Sequence, residues 1–88
     1  MNMVRILLHK KFIKQYKKLS VNEKNSFKER RNLFLIDPFD PVLNNHKLHG
    51  KYKNQRSINI NSDLRVLYQQ DGEHIVFITI DTHSNLYS

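Results

Sequence analysis

The 88 residues predict an α+β fold of order β-α-α-β-β-β, with two N-terminal helices on one face of a small, mainly antiparallel sheet. Apolar residues recur at helical spacing between residues 10 and 36, then switch to period-two alternation after residue 56. The three strand-length runs of the second half are joined by gaps short enough for hairpins.

Residues 3–8 are short, apolar and rich in branched side chains, which predicts a first strand. Residues 10–19 change period: Phe12, Ile13, Tyr16 and Leu19 form one stripe of an amphipathic helix whose other face is lysine. Ser20-Val21-Asn22-Glu23 has the spacing of a capping box, in which hydroxyl and carboxylate satisfy free backbone N–H groups, and opens a second helix. Its apolar stripe is thinner (Val21, Phe27, Leu33, Phe34), and Asp37-Pro38 and Asp40-Pro41 end it, because the residue before a proline avoids helical geometry. An irregular segment is expected up to about Gly50. Residues 56–60, 64–70 and 74–80 then read as three strands, with Asn61-Ser62 and Asp71-Gly72 supplying the turns of an antiparallel meander. Ile58, Ile60, Val66 and Tyr68, with either Ile75 and Phe77 or Val76 and Ile78, can line the face that receives the helices. The opposite face is left as a binding surface.

Composition bounds the class. An apolar fraction of 39% with four Tyr and five Phe suffices for one thin two-layer core, so a single domain over 1–88 is expected. The absence of cysteine excludes a disulfide framework and Cys-ligated zinc. No run approaches the roughly 18 apolar residues of a membrane span, and Arg5, His9 and Lys10 interrupt the N-terminal run, so neither membrane nor secretion is expected and the cytoplasm is the simplest compartment.

The net charge of +7 is uneven. Residues 1–35 hold ten Lys/Arg against two acidic residues, whereas residues 36–88 hold five against six. The first half therefore reads as a solvated helical face or as an electrostatic footprint for a polyanion or acidic protein.

Reactive side chains of the second half gather in three segments: residues 45–56 (His46, His49, Lys51, Lys53, Arg56), Asp63-Leu64-Arg65, and residues 81–87 (His83, Tyr87). A meander can bring these together. Imidazoles, a carboxylate and several cations suit RNA cleavage without a cofactor: a general base for the 2′-hydroxyl, a general acid for the leaving 5′-oxygen, and cations for the phosphorane. Taken singly, each residue also has an ordinary reading as a turn, surface or strand-face residue. His46 and His49 form H-x-x-H, which His83 could complete as a zinc site, but the pair sits in a loop with no adjacent Glu, which disfavours a metal.

In order, His46-x-Leu48-x-Gly50, Arg56-Ser57-Ile58, Asp63-Leu64-Arg65-Val66-x-Tyr68 and Thr82-His83-Ser84-x-Leu86-Tyr87 resemble the RelE/ParE superfamily of bacterial type II toxins, most closely its YafQ-like branch. The resemblance covers the whole chain and implies the RelE-like fold. It implies an endoribonuclease that cleaves mRNA in the ribosomal A site, leaves a 2′,3′-cyclic phosphate and a 5′-hydroxyl, inhibits translation and is neutralised by a cognate antitoxin. Contact with operator DNA is then expected only through the antitoxin complex. By position, the resemblance makes His46, Asp63 and His83 catalytic, with Asp63 or His46 as base and His83 as acid. It gives Arg65 and Arg56 to the phosphate and Tyr87 to the C-terminal tyrosine of the RelE branch; His49, Lys51 and Lys53 complete the expected phosphate-binding set. Four YafQ-like positions depart: Asn59 stands for a strand histidine, Leu64 for an aromatic, Thr79 for an arginine and Asp81 for the glycine before Thr-His, and the lost histidine and arginine point to weakened cleavage. The alternative is a non-catalytic module on the same fold, either a ParE-like gyrase poison or a degenerate toxin acting as an antitoxin-bound co-repressor.

Overall fold

The computed structural model describes residues 4–87. In chain order it contains β1 (Arg5–Leu8), α1 (Lys10–Lys17), α2 (Val21–Ile36), a 3-10 turn (Pro41–Leu43), β2 (His46–Lys47), a second 3-10 turn (Gly50–Tyr52), β3 (Arg56–Asn59), β4 (Leu64–Asp71), β5 (His74–Thr82) and α3 (His83–Leu86). The expected order of strands and helices is present. Met3, included in the first predicted strand, lies outside the described residues.

The sheet runs β1-β5-β4-β3-β2. β3, β4 and β5 form the antiparallel meander, and β1 adds in parallel to β5, with Ile6 opposite Ile75 and Leu8 opposite Phe77. That parallel pairing requires a crossover, which α1 and α2 supply over one face. His9 begins the crossover: its N–H donates to the Phe77 carbonyl at 2.9 Å, and its Nδ1 caps α1 by accepting from the Lys11 N–H at 3.1 Å. Ser20 caps α2 with both halves of the expected box, accepting from the Glu23 N–H at 3.1 Å while its own N–H donates to Glu23 Oε1 at 2.9 Å.

Between helices and sheet lies the main core: Phe12, Phe27 and Phe34 from the helices, Ile58, Val66, Tyr68, Ile75, Phe77 and Ile80 from the strands, and Leu43 from the first 3-10 turn. Phe77 is at its centre, with ring centroids 5.8, 5.9 and 5.9 Å from Phe12, Phe27 and Phe34. Two residues of the predicted stripes do not join it. Ile13 is 39% exposed because one helical step turns it about 100° from Phe12, and Val21 is 74% exposed in the first turn of α2. The open choice on the last strand resolves as Ile75 and Phe77. Beyond Phe77 a β-bulge changes the phase: Tyr68 pairs with Phe77 and Leu67 with Thr79, leaving Ile78 as the extra residue and returning Ile80 to the core.

The segment expected to be irregular up to Gly50 instead contains the first 3-10 turn and β2. The cause is local. Asp40 caps the turn by accepting from the Val42 N–H at 2.9 Å, and Asn44 leaves it in the left-handed region at φ 45°, redirecting the chain so that His46 pairs with Ser57. The face away from the helices is also less open than expected, because Leu48, Leu67 and Leu86, with Tyr52 against them, form a second small core there. No helix among the described residues is long and apolar enough to cross a membrane.

Phe77→Ala should destabilise the chain by about 3–5 kcal/mol, the cost of emptying a buried aromatic site, read as a lower urea midpoint with unchanged slope. Val21→Ala should change stability by no more than about 0.5 kcal/mol, as expected of an exposed position.

Candidate active site

The pleat of the meander sorts side chains by face. Ile58, Leu64, Val66 and Tyr68 point to the helices, so Ser57, Arg65 and Leu67 point the other way, and β2 brings His46 alongside Ser57. On this face lies an open cleft of about 370 Å³, within the roughly 300–1,000 Å³ of ligand sites. His46, Arg65, His83 and Tyr87 line it together with Asn44, Leu48 and Ser57. Four residues singled out from separate stretches of sequence thus share one cavity.

Each is held by backbone geometry. The Asn44 carbonyl oxygen lies 2.8 Å from His46 Nδ1; a carbonyl only accepts, so Nδ1–H donates and Nε2 is the acceptor nitrogen of the neutral ring. Asn61 organises the β3–β4 connection by accepting from the N–H groups of Asp63 and Leu64 at 2.9 and 2.7 Å. The carbonyls of that connection in turn hold Arg65: Nη1 donates to Asn61 and Leu64 oxygens at 2.8 and 3.1 Å, and Nη2 to the Ser62 oxygen at 3.2 Å. The guanidinium is therefore fixed in direction with its charge uncompensated by these neutral partners.

His83 is the first residue of α3, a four-residue helix too short to stand alone. Three contacts hold it. The His83 N–H donates to the Asp63 carbonyl at 2.8 Å, Thr82 caps the turn by accepting from the Asn85 N–H at 3.2 Å, and the Tyr52 hydroxyl donates to the Leu86 carbonyl at 3.1 Å. Tyr87 then lies with its ring centroid 4.7 Å from the His83 imidazole and 6.2 Å from Tyr52. The Lys51 ammonium stands over the Tyr52 ring, 5.1 Å from its centroid.

The other predicted residues are placed differently. Asp63 reaches the site through its backbone carbonyl; its side chain is exposed and does not line the cleft. His49 and Lys53 flank the second 3-10 turn, exposed, on either side of Lys51 and Tyr52. Arg56 points to the helix-bearing side: its Nε donates to Asn45 Oδ1 at 2.8 Å and its guanidinium lies 5.4 Å over the Phe39 ring. Asn45 ties the same knot by donating to the Pro38 carbonyl at 2.9 Å and the Tyr68 hydroxyl at 2.8 Å, so Arg56 secures the segment after α2 against the sheet. Asn59 lines a separate hollow with Arg30, and Thr79 is buried opposite Leu67. Among the described residues no group of three or more His, Asp or Glu is placed to hold a metal ion, so His83 does not complete such a set with the H-x-x-H pair.

Sequence reasoning gave no role to Ser57, Asn44 or Tyr52. The period-two pattern held the signal for Ser57, since Ile58 facing the core puts Ser57 on the cleft side. Asn44-Asn45 held the signal for the left-handed residue, a conformation that asparagine tolerates.

Residues 4–88 match a family model described as the bacterial toxin YafQ of type II toxin–antitoxin systems. The fold is similar to the crystal structure of YafQ from Escherichia coli strain BL21(DE3), with a TM-score of 0.81 at 20% identity over 97% of this chain and 99% of that one. It is also similar to a conserved hypothetical protein of Helicobacter pylori solved in solution (TM-score 0.69, 30% identity, 97% and 100% covered). The E. coli DinJ-YafQ toxin–antitoxin complex contains a third similar chain (TM-score 0.74, 19% identity, 98% and 99% covered). No curated protein sequence matches the chain.

Asn61→Ala should cost about 1–3 kcal/mol, since it leaves the part-buried Leu64 N–H without its acceptor. Asp63→Ala, which removes only an exposed side chain, should stay within about 0.5 kcal/mol. Urea unfolding of the two variants separates the backbone role of this turn from any role of the carboxylate.

Proposed function

The chain belongs to the YafQ family of bacterial type II toxin–antitoxin toxins, and from that membership we propose that it is a ribosome-dependent endoribonuclease that cleaves mRNA and thereby inhibits translation. The observation that carries the reading is the convergence of His46, Arg65, His83 and Tyr87 on one cleft.

His46 is assigned as the base. Its Nδ1–H is engaged by the Asn44 carbonyl, which leaves Nε2 to take the proton from the ribose 2′-hydroxyl. The freed 2′-oxygen attacks the adjacent phosphorus in line, and His83, as imidazolium, protonates the departing 5′-oxygen. The products are a 2′,3′-cyclic phosphate and a 5′-hydroxyl. Asp63 is the weaker candidate for the base because its carboxylate does not line the cleft. Arg65, already oriented by three carbonyls, stabilises the charge that builds on the phosphorane without reorganising during the reaction. Tyr87 buttresses the His83 ring and offers a face for base stacking. Lys51, Lys53 and His49 extend the site as backbone-phosphate contacts along the rim, while Arg56 acts structurally.

The basic helical half supports docking on ribosomal RNA, which predicts strong salt dependence of binding. It equally suits a cognate antitoxin, an acidic and partly disordered protein that folds over the basic surface and blocks the cleft, with operator DNA reached only through that complex. On this reading the chain acts in the cytoplasm, where ribosomes and their messages are. With Asn59 and Thr79 in place of a histidine and an arginine, slow turnover is expected.

Primer extension on mRNA from programmed ribosomes tests the reading. The wild-type chain should give discrete cuts with cyclic-phosphate ends, and His83→Ala should lower the rate by about 10²–10⁴-fold, the usual contribution of a general acid. Growth arrest that persists in a His46→Ala/His83→Ala double variant, with messages intact, would replace this reading with a non-catalytic poison.

A further inference from the structure

One polar group in the cleft is left without work by the mechanism above. Ser57 is 1% exposed, and among the described residues its Oγ has no hydrogen-bond partner. A buried hydroxyl without a partner has lost its hydration and gained nothing in exchange, which is why such groups are few in folded proteins. Among the described residues two other buried side-chain oxygens share this condition, Oε1 of Gln55 and Oδ1 of Asn59, but both residues line other hollows. Of the three, only Ser57 lines the cleft that holds His46, Arg65 and His83.

Its position indicates what it meets. Ser57 is the antiparallel partner of His46 across β2 and β3, and such partners carry their Cβ atoms about 4.5–5.5 Å apart on one face. Ser57 and the imidazole of His46 therefore rise from the same face of the sheet into one cleft. Arg65 lines the same cleft, and its guanidinium is a donor only. A hydroxyl donor and a guanidinium across one cavity complement a group made of acceptors, and the oxygens of a phosphodiester are that group.

Resting on the functional reading above, we infer that Ser57 is a substrate-binding residue whose Oγ–H donates to a non-bridging oxygen of the scissile phosphate. The bond holds the phosphorus in line with the 2′-oxygen that His46 deprotonates. It leaves Arg65 to neutralise charge and gives the site a neutral, short-reach donor, a role that the Arg56-Ser57-Ile58 motif does not by itself assign. The unpaired hydroxyl of the free protein is then a group waiting for its acceptor.

The test compares wild type, Ser57→Ala and Ser57→Cys with ribosomes carrying a defined mRNA, measuring single-turnover cleavage at saturating chain, ribosome affinity and thermal unfolding. Alanine should slow cleavage by about 10- to 100-fold, the loss of one hydrogen bond to a charged group. Cysteine, close in size but a weak donor, should follow alanine. Ribosome affinity should not change, and Tm should stay the same or rise, because the variant removes an unsatisfied buried group. Cleavage at the wild-type rate in Ser57→Ala, or a lowered Tm that accounts for the loss, overturns the assignment while leaving the endoribonuclease reading intact. If the wild-type chain leaves the mRNA uncut, that reading fails and this assignment with it.

Discussion

The pleat of β4 is the constraint on which the rest of the molecule depends. The strand sits at the middle of the sheet, bonded to β3 on one side and β5 on the other. Leu64, Val66 and Tyr68 face the helices, while Arg65 and Leu67 face away. A shift of one residue in its register would exchange the two sets, sending the guanidinium into the aromatic core and the core residues to solvent. The same register that buries Phe77 against α1 and α2 thus sets Arg65 in the cleft, so folding and the proposed chemistry are specified by one alternation.

The cleft itself is assembled from weak local pieces that hold one another. β2 is two residues long and α3 four, and neither would persist in isolation. Asn44 turns the chain into β2 and accepts from His46. Asn61 shapes the connection whose carbonyls receive both Arg65 and the N–H of His83. Tyr52 closes the far side on the Leu86 carbonyl. Each bond contributes about 0.5–1.5 kcal/mol, yet together they fix three side chains from three distant segments in one cavity. The arrangement leaves polar groups idle in the free protein, most clearly Ser57, as expected where a site is organised for a ligand.

The long-period features were legible in the sequence. The helical stripe around Phe12 and Tyr16, the Ser20 capping box, the Asp37-Pro38 stop and the alternation around Ile58 and Val66 appear as read, because each is set by local physics, whereas Asp40-Pro41, read as a second stop, opens the 3-10 turn. The three segments said to converge do supply His46, Arg65, His83 and Tyr87 to one cleft. Other features depended on tertiary context. β2 has no propensity of its own and exists through its pairing with Ser57 and Arg56. The bulge at Ile78 is a matter of register, which no composition announces. Arg56 and Asp63 have side chains whose type suits phosphate chemistry, but strand parity turns Arg56 toward Asn45 and Phe39, and the turn at Asn61 brings the Asp63 carbonyl, rather than its carboxylate, to His83.

The most direct measurement follows the imidazole resonances of the five histidines while an RNA oligonucleotide with 2′-deoxy substitutions, and so unable to be cleaved, is added to the wild-type chain. His46 and His83 should shift together and saturate at the same concentration, while His9 and His74, at the two ends of the β1–β5 pairing, stay in place. Movement of His9 or His74 with His46 and His83 unmoved would contradict a shared RNA-binding cleft.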